Sequence, residues 1–356
     1  MRFIPTFFLQ EGMLLGKSIY NSNGTLLLKE GLKLKQQYID KVIDLDIKGI
    51  YIDDEISKGI EIENIIDDEL RLNTVQKIKD IFMEAENDTG QMKEKIESLN
   101  ILIEDIVDEL INNKDIIVNM LDIKVFDDYT FFHSVNVAIL SIVMGIALNL
   151  NKEGLNNLGM GALLHDVGKT FISKEYLNKN EKLTDDEFEK IKKHPVKGYK
   201  YIRSRFNLPI QASKVILEHH EKYDGTGYPS QKVGKDISLF ARIVAIADVY
   251  DAVTSDRPYR KGVLPSKAME YIMGGAGYHF DYDLISIFVK KVAAYPLGTC
   301  VKLSNGLIGI VVKNYPDACT RPKIRLIEET GQEMCYINLR DDFRNNNLTI
   351  VEIVDM

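Results

Sequence analysis

An adjacent histidine and aspartate, His165 and Asp166, close an apolar run that reads G-A-L-L-H-D-V-G-K from Gly161 to Lys169. Imidazole and carboxylate are both metal ligands, and here they stand together where a predicted helix stops. Gly168 is suited to ending that helix, and the ammonium of Lys169 can reach toward whatever the pair holds. By itself such a dipeptide is more often a hydrogen-bonded structural pair than a metal site.

The other histidines strengthen the metal interpretation. Five of the six histidines of the chain fall between His133 and His220, and His279 stands apart. Acidic residues recur close to them. A mixed set of imidazoles and carboxylates suits two divalent transition metals better than one structural zinc, which favours four ligands rich in cysteine. The candidate residues are His133, His165, Asp166, His194, His219, His220, Asp224, Asp248 and Asp251.

Apolar residues at helical spacing predict that these side chains lie on an all-helical segment, residues 126–295. Thr184 and Glu187 form a capping-box signature for one of its helices. Residues from five elements could therefore converge on one centre, as they do in helical bundles with internal metal sites. The predicted helices are Asp128–Leu150, Leu155–Val167, Thr184–Lys193, Ile210–Glu221 and Leu239–Thr254.

The flanking segments predict a mainly α protein with small β-containing ends. Residues 1–60 alternate short β-rich runs with one helix and predict a small α+β domain for regulation or docking. Residues 61–125 predict a helical connector, either a signal-carrying dimer stalk or, as we favour, helices packed on the next domain. Its stretch Glu84–Lys95 is predicted to be a mobile connection. Residues 296–356 predict a β-rich subdomain.

Composition excludes several classes of protein. The net charge of −8 leaves no broad basic surface for polymeric DNA or RNA. Three cysteines without pair spacing indicate reduced thiols in a cytoplasmic protein. No signal peptide is apparent. The longest apolar segment, Val135–Leu150, is shorter than the roughly 20 residues of a membrane span and predicts a buried helix.

The order of these motifs resembles the HD-GYP family, a branch of the HD metal-dependent phosphohydrolases. The resemblance is carried by His133, His165-Asp166, His194, H-H-E-K-Y-D-G-T-G-Y-P from His219, and A-R-I-V-A-I-A-D-V-Y-D-A-V-T-S-D-R-P-Y-R from Ala241. It covers about half of the chain. It implies hydrolysis of cyclic di-GMP to pGpG by a hydroxide that bridges two metals, and it leaves open whether pGpG or GMP is the final product.

The resemblance also implies a ligand set. It assigns the first metal to His133, His165, Asp166 and Asp248, and the second to Asp166, His194, His219 and His220. Iron is the expected metal and manganese the alternative. Some members hold a third metal with a glutamate one turn before the first histidine. Tyr129 stands at that position here, so we expect two ions.

Other residues are candidates for contact with the substrate. Lys169 would meet a non-bridging phosphate oxygen, Tyr228 could stack on a guanine, and Arg257 and Arg260 could bind phosphate or a base edge. Asp224 and Asp251 would either orient ligating imidazoles or cap local structure. His279 is expected to be structural.

Two other functions stay open at this point. The chain could be a non-catalytic cyclic di-GMP sensor, or an HD phosphohydrolase for another nucleotide. The sequence does not decide between a homodimer and a separate signalling partner, nor does it identify the signal sensed by residues 1–60.

Overall fold

The computed structural model describes residues 1–21, 25–45, 47, 49–113, 117–119, 129–179, 181–255, 262–327 and 335–354. By its internal contacts the chain divides into two compact units. One comprises residues 1–64, 117–129 and 289–356, and the other residues 65–116 and 130–288. Helices in the middle of the chain with small sheets toward both ends confirm the predicted fold class. The sequence predicted four segments, and this finer division stays a prediction.

Among the described residues, all the β-strands lie in the first unit. A three-stranded antiparallel sheet has the order β1, β5, β2, and β3 pairs with β4 as a hairpin. The five strands near the C-terminus form an antiparallel sheet of order β10, β6, β7, β8, β9. The strands are β1 Arg2–Pro5, β2 Leu14–Leu15, β3 Ile19–Tyr20, β4 Leu26–Leu28, β5 Gly49–Asp53, β6 Cys300–Leu303, β7 Ile308–Lys313, β8 Lys323–Leu326, β9 Tyr336–Asn338 and β10 Ile350–Ile353.

The two ends of the chain share a hydrophobic cluster within this first unit. Tyr51 and Ile62 pack in it with Cys300 and Ile310. The buried guanidinium of Arg325 donates to the backbone carbonyl of Lys58 at 2.7 Å. Charged donors to buried carbonyls are among the stronger hydrogen bonds of proteins. The segments predicted as separate domains 1–60 and 296–356 are therefore packed against each other.

Apart from α1 Gln36–Asp44, which belongs to the first unit, the described α-helices belong wholly or mainly to the second unit. Helix α4, Tyr129–Ala147, is its centre, since every residue from 133 to 145 is buried. A helix that is apolar on all sides is stable only when other helices cover it. The other described helices are α2 Asp68–Asn87, α3 Met92–Asn112, α5 Lys152–Leu164, α6 Lys174–Leu177, α7 Asp185–Ile191, α8 His194–Arg205, α9 Ile210–Glu218, α10 Leu239–Thr254, α11 Pro265–Gly274 and α12 Tyr282–Lys291.

Helix α4 is also long and apolar enough to cross a membrane, over residues 130–147. However, 72% of that stretch is buried inside the protein. Its apolar surface is therefore already covered by neighbouring helices, as expected for the core helix predicted from Val135–Leu150.

The turn between α2 and α3 is shorter and more ordered than the sequence predicted. The stretch Glu84–Lys95, expected to be a mobile connection, is helical except for residues 88–91. The buried carboxylate of Glu84 accepts hydrogen bonds from the hydroxyl of Thr89 and from the backbone N–H of Gln91. A charged residue that caps a turn looks, in sequence, like solvent-exposed loop, and this explains the error.

Candidate metal centre

Five elements of the helical unit bring the predicted ligands together. Helix α4 carries His133, and α5 ends at Leu164 directly before His165 and Asp166. His194 is the first residue of α8, His219 and His220 follow the end of α9, and Asp248 lies within α10. Backbone caps set these positions, since Asn151 caps α5 through Gly154 N–H and Ser238 caps α10 through Ala241 N–H.

The ligand atoms form two adjacent groups. Within each group the nitrogens and oxygens that could bind a metal lie within 4.8 Å of one another. The groups touch, because Nε2 of His165 is 3.3 Å from Oδ2 of Asp166. One group consists of His133, His165 and Asp248, and the other of Asp166, His194, His219 and His220.

Hydrogen bonds fix the tautomers of three histidines. The Nδ1 atoms of His165 and His194 lie 2.7 and 2.8 Å from the carbonyl oxygens of Ala162 and Ile191. Nδ1 of His219 lies 3.1 Å from the carbonyl of Val215. Because a carbonyl only accepts, Nδ1 carries the proton in each ring, and the lone pair of Nε2 points into the centre.

Within the part of the chain that the structure describes, these inward lone pairs face other acceptors and no donor. Nε2 of His194 is 3.3 Å from Nε2 of His219 and 3.4 Å from Oδ1 of Asp166. Each of those contacts sets an acceptor against an acceptor. Among the described residues, Nε2 of His165 and Oδ1 of Asp166 are buried without a hydrogen-bond partner. Unsatisfied buried acceptors are costly, so the donor set fits divalent metal and forms a divalent metal centre.

Burial and charge shift the pKa values of these groups in opposite directions. Burial, then the neighbouring His220, keeps the pKa of His219 well below its ordinary value. Burial also lowers the pKa of His220 to about 3. Both rings are therefore neutral at pH 7, as a metal ligand must be. Burial opposes ionisation of Asp166, but the charge of Lys169 and the contacts with His165 and His194 together outweigh burial and hold the pKa of that carboxyl well below its usual range.

His133 differs from the other rings. Burial opposes its protonation, but hydrogen bonds to Asp248 and Asp251 outweigh burial and raise the pKa of His133 to about 9. Its Nδ1 is 2.7 Å from Oδ2 of Asp251, and its Nε2 is 3.1 Å from Oδ1 of Asp248. A metal that binds Nε2 must displace a proton from this ring.

The two predicted partner aspartates end in different environments. Asp251 is fully buried against His133, as the interpretation of an orienting partner requires. Asp224 lies on an exposed turn, where its Oδ1 accepts from the N–H and the hydroxyl of Thr226 at 2.9 and 2.7 Å. The structure thus brings Asp251 to the centre and leaves Asp224 as a local cap. His279 stacks on Phe280 outside the ligand groups.

The substrate-side candidates lie where the centre opens. Nζ of Lys169 is 2.5 Å from Oδ2 of Asp166, and its side chain is 32% exposed. The ring of Tyr228 lies 4.8 Å from that of His220, whose side chain is 25% exposed, the largest value among the predicted ligands. Arg257 and Arg260 fall outside the described residues, as does the side chain of Tyr129.

Two glutamates that sequence reasoning missed anchor the loop after α9. Buried Glu218 accepts from Nζ of Lys232 at 2.7 Å and from the N–H of Ser238 at 2.8 Å. Buried Glu221 accepts from the N–H of Ser230 at 2.6 Å. Both acids stand beside the histidine pair in sequence, but no spacing rule separates an anchoring glutamate from a solvated one. They hold the loop that presents Tyr228.

Gly168 also has a role other than the one predicted. Helix α5 ends before it, and Gly168 lies in a short 3-10 helix, Val167–Phe171. A Cβ on Gly168 would stand 1.9 Å from the carbonyl oxygen of His194. Its backbone therefore packs directly on the first turn of α8 beside Gly198. The glycine permits close approach of a ligand-bearing helix and does not terminate a helix.

Comparison with known proteins agrees with this architecture. Residues 106–284 match the HD domain, and residues 300–356 match the KOW domain associated with the HD domain. Since the first match spans half of the chain, the chain belongs to the HD-domain family. The solved HDG"Y"P protein Bd1817 from Bdellovibrio bacteriovorus shares the fold, with a TM-score of 0.50 and 18% identity over 80% of this chain and 97% of its own. The predicted resemblance to HD-GYP proteins is thereby confirmed.

Curated relatives carry two related names. The cyclic di-GMP phosphodiesterase PA4108 of Pseudomonas aeruginosa is 36% identical over 63% of this chain and 54% of its own. A 3'3'-cGAMP-specific phosphodiesterase of Vibrio cholerae is also 36% identical, over 53% of this chain and 43% of its own. The chain spans about half the length of the curated relatives it matches.

Proposed function

We propose that this chain is a metal-dependent phosphodiesterase that hydrolyses cyclic di-GMP to pGpG. The observation that carries the proposal is the set of inward-facing lone pairs on His165, Asp166, His194 and His219, which only cations satisfy. Family membership and the names of the curated relatives support the substrate. A cyclic dinucleotide is a small anion, so the net charge of −8 does not oppose its binding at a locally cationic site.

Two divalent metals fit the two ligand groups, with Asp166 shared between them. His133, His165 and Asp248 would hold one ion, and His194, His219 and His220 the other. Bound there, the ions would supply Lewis-acid stabilisation of the phosphate and lower the pKa of the attacking water. We propose iron as the physiological metal, because imidazole ligands suit iron, and manganese as the alternative, because the carboxylates of Asp166 and Asp248 suit manganese.

The protein's own groups have separate tasks. Nζ of Lys169 lies at the open side of Asp166, where it can meet a non-bridging phosphate oxygen and oppose the charge that develops during attack. Tyr228 lies beside His220 and offers a ring face to a guanine base. Neutral His219 and His220 bind without cancelling metal charge, which keeps the centre electrophilic.

The test is product analysis with metal-loaded protein. We expect anaerobically reduced protein loaded with iron or manganese to convert cyclic di-GMP to pGpG. Chromatography and mass spectrometry identify the product. Metal-free protein is the matched control. Absence of product with both metals, in reduced and oxidised protein of confirmed metal content, would refute hydrolysis of cyclic di-GMP.

One relative specific for 3'3'-cGAMP favours a second candidate substrate. Parallel assays with cyclic di-GMP, 3'3'-cGAMP and mononucleotides decide between them by kcat/KM. A preference of at least tenfold for 3'3'-cGAMP would replace the substrate proposed here without removing the enzyme class. Tight binding of cyclic di-GMP without turnover of either dinucleotide would instead establish that the chain is a non-catalytic cyclic di-GMP sensor.

A further inference from the structure

A line of hydrogen bonds leads from helix α2 to the metal ligand His133. NH1 of Arg71 donates to Oδ1 of Asn136 at 3.2 Å, and Nδ2 of Asn136 donates to Oδ1 of Asp251 at 2.9 Å. Oδ2 of Asp251 accepts from Nδ1 of His133 at 2.7 Å. Four side chains on helices α2, α4 and α10 are thus joined in series.

The polarity of every link in this series is determined. A carboxylate only accepts, so the amide of Asn136 must turn its NH2 toward Asp251 and its oxygen away. A guanidinium only donates, so Arg71 is matched to that oxygen. Asp251 then requires the proton of His133 on Nδ1. This requirement leaves Nε2 as the atom available to a metal.

Burial makes these links costly to break. Asn136 and Asp251 are both completely buried, and His133 is 2% exposed. Without Arg71, the oxygen of Asn136 would lose its charged donor, and the amide could rotate and place its oxygen toward Asp251. Unmatched polar atoms in a dry environment are penalised strongly. The guanidinium therefore fixes the amide, and the amide fixes the carboxylate.

We propose that Arg71 is a positioning residue for the metal centre, acting through Asn136 and Asp251 on His133. Arg71 lies in the first turn of α2 and precedes the residues that match the HD domain. A helix outside that domain thus sets the orientation of one of its ligands. This inference rests on the proposed metal centre but not on the identity of the substrate.

The experiment compares Arg71→Met with Arg205→Met in the full chain. Arg205 pairs with Asp88 on the exposed surface of the same helical unit and is the control for loss of a guanidinium ion pair. Affinity for Co²⁺ is measured by chelator competition, and the Co²⁺ absorption spectrum reports ligand geometry. We expect Arg71→Met to lose about tenfold in affinity, the lower end of the range for partners of metal ligands. Arg205→Met should bind as the wild type does.

Three further measurements separate positioning from general destabilisation. Arg71→Lys, which retains a cationic donor, should restore part of the lost affinity. The double variant Arg71→Met/Asn136→Leu should lose no more than Asn136→Leu alone, because one series of bonds is broken once. The Nδ1–H proton resonance of His133 in metal-free protein should shift in Arg71→Met and stay in place in Arg205→Met.

Each outcome is decisive. If the wild type binds no Co²⁺, the metal centre itself fails. If the wild type binds it and Arg71→Met binds equally well with an unchanged His133 resonance, the metal centre stands and the role of Arg71 is refuted. Additive losses in the double variant would also refute the series.

Discussion

Asp251 and Asp224 show how one residue type takes two roles near the same centre. Both follow metal-ligand motifs in sequence, and both were candidates for orienting an imidazole. The structure buries Asp251 against His133 and exposes Asp224 on a turn capped through Thr226. Only the tertiary packing of α4 against α10 distinguishes them.

Substitution of Asp251 should weaken metal binding, whereas substitution of Asp224 should not. We expect Asp251→Asn to weaken metal binding by about 10- to 100-fold, because an amide has one acceptor oxygen and cannot accept from both Nδ1–H of His133 and Nδ2 of Asn136. Asp224→Asn is the matched control and should retain wild-type metal content. Metal analysis after dialysis against a weak chelator measures both. Equal retention by the two variants would show that Asp251 does not orient a ligand.

The sequence predicted the ligand types well and their partners poorly. Histidine and aspartate spacing marked the residues that the structure brings together, because few other roles call for so many buried imidazoles. Asn136, Glu218 and Glu221 gave no signal, since their partners come from distant positions. A single sequence does not reveal which buried polar residue meets which.

At the scale of elements, the helix ends hold the centre. Helix α5 ends immediately before His165, α8 begins at His194, and α9 ends before His219. The sequence located α5 and α9 but extended both by about one turn, because apolar periodicity continues into the residues that turn inward. The sequence did not predict α8, because His194-Pro195 was interpreted as the end of the preceding helix. In the structure this proline lies in the first turn of α8, where a missing backbone N–H costs nothing. At residues 88–91 the error is of another kind: the sequence predicted a mobile stretch, and the structure has a tight turn capped by Glu84.

Gly168 offers a test of how closely α8 must approach. We expect Gly168→Ala to destabilise the protein by about 1–3 kcal/mol and to lower metal content, since its Cβ would meet the carbonyl of His194. Gly274→Ala is the control, because a Cβ there has no neighbour within 4 Å. Chemical unfolding and metal analysis measure the two effects. Unchanged stability of Gly168→Ala would contradict the proposed contact.

The loop after α9 should depend on Glu218. Glu218→Gln removes the ion pair with Lys232 and weakens the bond to Ser238. A loss of about 1.4 kcal/mol corresponds to roughly tenfold faster hydrogen exchange over residues 222–238. The KM of the proposed reaction should rise while metal content stays constant.

Glu270→Gln is the matched control for Glu218→Gln. Its exposed pair with Lys267 contributes little to stability. Protection of residues 222–238 that is equal in Glu218→Gln and the wild type would show that the glutamate does not anchor the loop.

At the scale of the molecule, all predicted metal ligands belong to one of the two compact units. Residues 130–288 contain every one of them, within helices or directly after helix ends, and the sheets of the described residues belong to the other unit. The sequence predicted the helical and β-rich segments but not that residues 1–64 and 289–356 pack together. Contacts between chain ends leave no local pattern, and this part of the fold had to come from the structure.

Removal of metal should therefore act on one unit. We expect chelation to increase hydrogen exchange in helices α4, α5, α9 and α10, because a ligand that binds only the folded state stabilises it by mass action. Protection of strands β6, β7 and β8 should not change. Hydrogen exchange with mass spectrometry reports both units in one experiment. A comparable rise in the β-strands would contradict this localisation.

The uneven exposure of the ligands bears on how ions enter and leave. His133, His165, His194 and His219 are sealed, whereas His220 borders solvent beside Tyr228. Metal ions would then enter and leave through the same opening that binds the nucleotide. A dinucleotide bound against Tyr228 would block release of the ions. Chelators should therefore remove the ions more slowly from protein saturated with a non-hydrolysable analogue than from free protein. When iron is depleted, protein without bound nucleotide should consequently lose its metal, and with it its activity, before nucleotide-bound protein does.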